Sequence, residues 1–303
     1  MMKDLQTYSN WVADKLKNSV VEPSNFTLNN LSFELFIKRD DLIHPIISGN
    51  KLRKLKYNII AANKNECQRL VTFGGAYSNH ILATAFLCVE FSIPLTVMVR
   101  GDELNDTSNK ILSFCSSNGI DLIFLARERY FELKRMNGVE YWLNEKCWFI
   151  PEGGANQEGI RGASEIIENK YDFDAYVVAQ GTTTTSLGIY HSMSDDSTLF
   201  VVPALRNFQS EEEMKKVYDA HLLSKKVVPL MYEELGRYGK LTKTLEDFQR
   251  KIECVTSIKL DPIYTVKALY AFTKFASTVN QEPILNKKVL FVHTGGLNQE
   301  WWN

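Results

Sequence analysis

The chain has 303 residues, 45% of them hydrophobic and 23% charged, the profile of an ordinary globular protein long enough to bury a core without staples. Lys+Arg 35 against Asp+Glu 36 leaves a net charge of −1; this argues against nucleic acid as the main partner, since phosphate backbones are held by clustered basic residues. The five cysteines, at 67, 88, 115, 147 and 254, are scattered and lack CxxC spacing, which points to reduced thiols and to neither a disulfide framework nor a metal site. The opening MMKDLQTYSNWVADKL has no signal-peptide apolar core, and no apolar run is long enough to span a bilayer, so a cytoplasmic protein without a membrane partner is expected.

Along the chain, apolar runs rich in β-formers alternate with longer segments of helical spacing. The strands are predicted at 34–38, 70–73, 95–99, 122–125, 148–150, 176–179, 199–202 and 289–292. The helices are predicted at 52–63, 79–91, 108–117, 131–145, 160–168 and 264–278, with a further one opening near Ser186. Such alternation implies βαβ units and a mostly parallel sheet. Ligands of such sheets bind beyond the carboxyl ends of the strands, so the glycine-bearing strand exits are where chemistry is sought.

Four exits qualify: VTFGGAYSNH (71–80), FIPEGGANQEG (149–159), VVAQGTTTTSLG (177–188) and VLFVHTGGLN (289–298). None reads GxGxxG, GxxxxGK[ST] or GxSxG, so the nicotinamide or flavin fingerprint, the P-loop and the simplest serine hydrolase are absent. Gly181 followed by Thr182, Thr183, Thr184 and Thr185 leads into a helix. Backbone N–H groups with added hydroxyls could cradle an anion there, or the stretch could be a polar turn capped by threonine. In the first exit, Ser78 can cap the helix that starts near Asn79, and the same N–H groups could hold a carboxylate. His80 could be only a polar residue of that first turn.

The stretch SGNKLRKLKYN (48–58) poses a different question. Lys51 opens a helix, where the positive end of the macrodipole disfavours its charge. A lysine amine is a nucleophile only when deprotonated, and burial, nearby cations and a helix N-terminus all favour that form. Arg53, Lys54 and Lys56 are expected to form a solvated basic face.

Taken together, SGNKLRKL, FGGAYSNH, the Gly-Thr loop, LDPIYTVK (260–267) and a closing strand with HTGG resemble, in order and over residues 34–296, one family. They are similar to the pyridoxal-phosphate enzymes of the tryptophan-synthase-β class (fold type II), and within it to the 1-aminocyclopropane-1-carboxylate (ACC) deaminase / D-cysteine desulfhydrase family. The resemblance implies an α/β fold with parallel-rich twisted sheets in two domains. These would be a large cofactor-binding domain of 1–53 and 158–303 and a smaller inserted domain of 54–157, with pyridoxal 5'-phosphate in the cleft and a homodimer as the usual assembly.

By position the resemblance implies roles. Lys51 would carry the cofactor as a Schiff base, and Asn79 would hydrogen-bond its phenolic oxygen. Gly181 and Thr182 to Thr185 would cradle the phosphate. Ser78, with the backbone around Asn79 and His80, would bind the carboxylate of an amino-acid substrate, and Tyr77 stands where many members have a substrate-contacting glutamine. Tyr238 and Tyr264 match the family's two active-site tyrosines. Thr265 would face the pyridine nitrogen, where ACC deaminases carry glutamate and D-cysteine desulfhydrases threonine. A hydroxyl leaves that nitrogen largely unprotonated, a weaker electron sink, enough for β-elimination but poorly suited to opening a cyclopropane ring. His80 stands where deaminases have glutamine.

The resemblance thus implies elimination from D-cysteine, with pyruvate, ammonia and sulfide as products. ACC deamination to 2-oxobutyrate, a related amino-acid dehydratase and a non-catalytic binder are the alternatives. One departure has a conformational consequence. Threonine is poorly suited to positive φ, so the TTTT loop is expected to avoid it. Trp301 and Trp302 could close a site, form an interface or cover core surface.

Overall fold

The computed structural model describes residues 4–26, 33–47, 49–135, 146–168, 172–205, 209–217, 225–278 and 284–302. The chain forms two compact units. The first comprises Met1–Lys17, His44–Gly162 and Asn298–Asn303; the second comprises Asn18–Ile43 and Ala163–Leu297.

In the first unit, strands β3 (Arg69–Gly75), β4 (Leu95–Arg100), β5 (Asp121–Leu125) and β6 (Cys147–Ile150) form a parallel sheet in the order β5-β4-β3-β6. Leu70 to Phe73 and Val97 to Val99 are buried on both faces, as parallel strands covered by helices must be. The helices are α1 (Leu5–Leu16), α2 (Asn50–Lys64), α3 (Asn79–Glu90), α4 (Lys110–Ser117), α5 (Arg127–Arg135) and α6 (Gln157–Ser164), the last reaching the unit boundary. Their starts are written in side chains. Asp4 caps α1 by accepting from Gln6 N and Thr7 N, and Asn109 caps α4 by accepting from Leu112 N at 2.9 Å.

In the second unit, β1 (Val21–Pro23), β2 (Glu34–Arg39), β7 (Ala175–Gln180), β8 (Thr198–Pro203), β9 (Lys226–Pro229) and β10 (Lys288–His293) run in the order β1-β2-β10-β7-β8-β9. Every pairing is parallel except β1 with β2. Helices α7 (Thr184–Ser192), α8 (Ser210–Val217), α9 (Lys243–Thr256) and α10 (Thr265–Ala276) complete it. Its core joins the inner faces of β7, β8 and β10 to Val266, Leu269 and Phe272 of α10.

All eight predicted strands form. Strands β1 and β9, at the sheet edges, carry too few apolar residues to be read from pattern. Helices α1, α8 and α9 were not predicted either. Of the helix predicted over 131–145, residues 136–145 lie outside the described residues, as does Ser48; the described part begins earlier, at Arg127. The boundary expected at residue 53 would cut α2, whereas the compact units keep that helix whole, together with α1 and α3. Trp301 covers core surface of the first unit, edge-on to Phe114 at 5.6 Å, and Lys110 Nζ donates to the Glu300 carbonyl nearby at 3.0 Å.

Candidate active site

In the first unit the site begins at Gly49, the N-cap of α2, with φ 66° and ψ −142°. L side chains rarely tolerate that conformation, so the glycine is required where it stands. No side chain caps the helix, and Lys51 lies in its first turn with Nζ donating to Asn50 Oδ1 at 3.0 Å.

The expectation of a solvated basic face behind it is wrong for two residues. Arg53 and Lys54 are 4% and 3% exposed, and half-buried Lys56 lies with Nζ 4.7 Å from the Tyr57 ring centroid. The reason is packing: α2 is enclosed by α6 and the 152–154 turn, and the Lys54 stem lies against Gly154. Burial first, and the neighbouring Lys51 charge second, hold the Lys54 ammonium well below the usual lysine range. A sequence read for charge alone misses Lys54, because a helical stripe of cations looks the same whether it faces water or core.

Ser78 caps α3, its Oγ accepting from His80 N at 3.2 Å and Ile81 N at 3.4 Å. Gly74 permits this turn, since a Cβ there would lie 2.8 Å from Ile81 side-chain atoms. Asn109 braces the same loop by donating to Ala76 O at 2.9 Å. The Asn79 Oδ1 atom is buried without a hydrogen-bond partner. His80 is 2% exposed, and Tyr77, at the loop tip, is 58% exposed.

In the second unit, β7 leads through Gly181 into α7. The expectation that the threonines avoid positive φ is overturned: Thr183 has φ 57° and ψ −23°. Such a conformation costs a β-branched residue on the order of 1–3 kcal/mol. It is held by a tight set of hydrogen bonds. Thr183 Oγ1 donates to Thr182 O, Ser186 Oγ and Leu187 N both donate to Thr183 O, and Gln180 Nε2 donates to Ser186 Oγ. The helix opens at Thr184, two residues before the predicted start, with no side-chain cap. Gln180 Oε1 is buried without a hydrogen-bond partner.

The Tyr264 ring lies over Gly181: a Cβ there would sit 3.4 Å from its Cε1. Tyr264 Oη and Tyr238 Oη are 2.9 Å apart, with Tyr238 51% exposed. Two devices hold the pair. The Asp261 carboxylate accepts from Tyr264 N at 2.6 Å, and fully buried Thr265 takes the Asp261 N–H on its Oγ1 at 2.7 Å. Lys267, 1% exposed, donates to Arg237 O at 2.9 Å, next to Tyr238.

His293 supports the same region from β10. Its Nε2 lies 2.7 Å from Lys259 O and its Nδ1 accepts from Gly295 N at 3.2 Å. Gly295 and Gly296 have φ 75° and 92°, which explains the glycine pair after HT. Burial holds the His293 pKa down against the opposing pull of Asp41. Lys267 and His293 stood within the DPIYTVK and HTGG motifs, but nothing in the pattern marked them as braces.

Among the described residues, no group of three or more His, Cys, Asp and Glu could hold a metal, and no helix is long and apolar enough to cross a membrane. The donor set does suit a phosphorylated aldehyde. The first unit offers an amine at an uncapped helix start, with the buried Lys54 three residues later; the second offers an uncapped helix start behind a strained threonine turn.

Comparison with known proteins agrees. The profile of the family described as "Pyridoxal-phosphate dependent enzyme" matches residues 17–295. A protein of Pyrococcus horikoshii, provisionally named a 1-aminocyclopropane-1-carboxylate deaminase, is 32% identical over 89% of this chain and 88% of its own. A protein of Arabidopsis thaliana named bifunctional D-cysteine desulfhydrase/1-aminocyclopropane-1-carboxylate deaminase, mitochondrial, is 28% identical over 87% of this chain and 72% of its own. The crystal structure of an ACC deaminase homologue shares the fold, with a TM-score of 0.75 at 23% identity, covering 96% of both chains. The lysines of α2, the threonine turn and the paired tyrosines therefore belong to an enzyme of the pyridoxal-phosphate-dependent family, in its ACC deaminase / D-cysteine desulfhydrase branch, with fold type II and pyridoxal phosphate as cofactor.

Proposed function

We propose that this enzyme catalyses elimination from D-cysteine: D-cysteine and water give pyruvate, ammonia and hydrogen sulfide. The observation that carries the reading is Thr265. It has a neutral hydroxyl, fully buried and accepting from Asp261 N, and by the resemblance it would stand where ACC deaminases carry a carboxylate. Lys51 would hold the cofactor covalently and Asn79 its phenolic oxygen. Gly181 to Thr185 would hold its phosphate, and the Thr265 hydroxyl would face its ring nitrogen. When bound, pyridoxal phosphate supplies the electron sink that lets a bond at the substrate's α-carbon break.

The protein's own groups handle position and protons. Ser78 and the first amides of α3 seat the carboxylate, by the helix-terminus physics that favours anions. Lys51 Nζ, freed once the substrate amine has taken its place, would take the α-proton, with Ser78 Oγ the second candidate. Tyr264 Oη gives its proton to the departing sulfur and is resupplied by Tyr238 Oη, which is half exposed to solvent.

The test is keto-acid formation by the purified, cofactor-loaded protein offered D-cysteine and ACC in parallel. Pyruvate and sulfide from D-cysteine, without 2-oxobutyrate from ACC, is the expected result. 2-Oxobutyrate from ACC would overturn the weight placed on Thr265. A homodimer is part of the proposal, checked by the mass of the protein in solution.

A further inference from the structure

The tautomer of His80 follows from its neighbour. Thr72 Oγ1 lies 2.9 Å from Ile150 O and 2.8 Å from His80 Nε2. A hydroxyl has one proton, and a carbonyl can only accept, so Thr72 donates to Ile150. The His80 Nε2 atom must then carry a hydrogen and donate to Thr72. That leaves Nδ1 as a bare lone pair, buried and without a hydrogen-bond partner. The ring cannot escape by taking a proton. Burial, then the charges of Lys51 and Lys54, press its pKa down to about 3. A buried acceptor left unpaired is costly, and here it sits in the first turn of α3, one residue from the unpartnered Asn79 Oδ1.

From this geometry we infer that His80 Nδ1 is the acceptor for an amine N–H of the bound amino acid, complementing the helix-terminus amides that take its carboxylate. This inference rests on the proposed amino-acid chemistry and adds a residue that orients the substrate amine. The ligand's amine reacts in its neutral form. A neutral amine still has N–H to give, and donating one to Nδ1 sets the direction of its lone pair. A ligand with a hydroxyl in place of the amine has a single O–H for this acceptor and cannot also react as an amine.

Two substitutions separate the two nitrogens of the ring. The amide nitrogen of glutamine reaches the Nε2 position, so His80→Gln keeps the Thr72 contact and loses the acceptor. The amide oxygen of asparagine reaches the Nδ1 position, so His80→Asn keeps the acceptor and loses Thr72. D-Alanine, which has no β leaving group, is titrated into each cofactor-loaded protein and followed by the cofactor's absorbance. D-Cysteine turnover and the thermal midpoint are measured alongside.

The expected result is about a tenfold weaker D-alanine affinity and a raised D-cysteine KM for His80→Gln at an unchanged midpoint. For His80→Asn, affinity should stay within threefold of wild type while the midpoint falls. Unchanged affinity in His80→Gln, or an equal loss in both variants, would overturn the inference and leave the functional reading standing. A wild type that neither binds D-alanine nor turns over D-cysteine would sink the functional reading, and this inference with it.

Discussion

Gly162 on α6 packs against the backbone of α2, the helix that carries Lys51 and Lys54, and Gly162→Ala tests how tightly. A Cβ at 162 would lie 1.9 Å from Arg53 O, 2.6 Å from Arg53 C and 3.2 Å from Lys54 N. All three are backbone atoms, so no side chain can swing aside. The two helices must separate by about 1.5 Å to restore an ordinary contact. Two effects oppose each other. Alanine is a better helix former than glycine by about 1 kcal/mol. Overpacking costs about 1–3 kcal/mol, and a clash of backbone on backbone belongs at the upper end. The clash wins, leaving a net loss of about 2 kcal/mol, or a fall of about 4–8 °C in the thermal midpoint.

Circular dichroism melts of wild type and variant read this directly. Gly119→Ala serves as a contrast: nothing lies within 4 Å of its Cβ, but φ is +72°, so it pays only left-handed strain of about 1–2 kcal/mol. Cofactor loading should weaken in Gly162→Ala and not in Gly119→Ala, because only the former displaces α2. A Gly162→Ala protein that melts at or above the wild-type midpoint would refute the close approach.

Other predictions bear on the site. Lys51→Ala should abolish the absorbance of a lysine-bound cofactor; a persisting band would move that role to another lysine. Tyr264→Phe removes the proposed proton donor and the partner of Tyr238 Oη, so kcat on D-cysteine should fall by about 10²–10⁴-fold with little change in KM; a change under twofold would remove the tyrosine from proton transfer. Thr265→Val leaves the Asp261 N–H without its acceptor and should cost about 1–3 kcal/mol of stability, whereas Thr265→Ser should not; equal melts would show that the hydroxyl bond is idle.

The last prediction concerns pH. A histidine with a folded-state pKa of about 3 binds its proton more readily when unfolded, near 6.5. The stability tied to its neutral form is therefore complete above pH 6.5 and is lost as pH falls towards 3. At pH 5 the loss is about 2 kcal/mol, so stability should drop more steeply between pH 6.5 and 5 in wild type than in His80→Gln. Parallel profiles in urea unfolding would contradict it.

The sequence alone was enough for the order of the strands and most of the helices. Period-two and period-three-to-four apolar spacing located the eight strands and most of the helices around them, because burial of a strand or a helix stripe is a local pattern. The Ser78 cap of α3 was legible for the same reason, since a cap depends on residues a few positions apart, whereas the DPIYTVK run was legible only through its resemblance to a family. Burial of charge was not legible. Arg53 and Lys54 read as solvated until α6 and Gly154 were laid against them, because exposure depends on chain a hundred residues away.

The left-handed Thr183 went against its own residue preference, and hydrogen bonds with Thr182, Ser186 and Leu187 hold it there. The meeting of Tyr238 with Tyr264, the bracing of their loops by Lys267 and His293, and the tautomer of His80 set by Thr72 and Ile150 are likewise products of tertiary structure. Each depends on the direction of a side chain across elements far apart in sequence, a quantity that one-dimensional spacing does not contain.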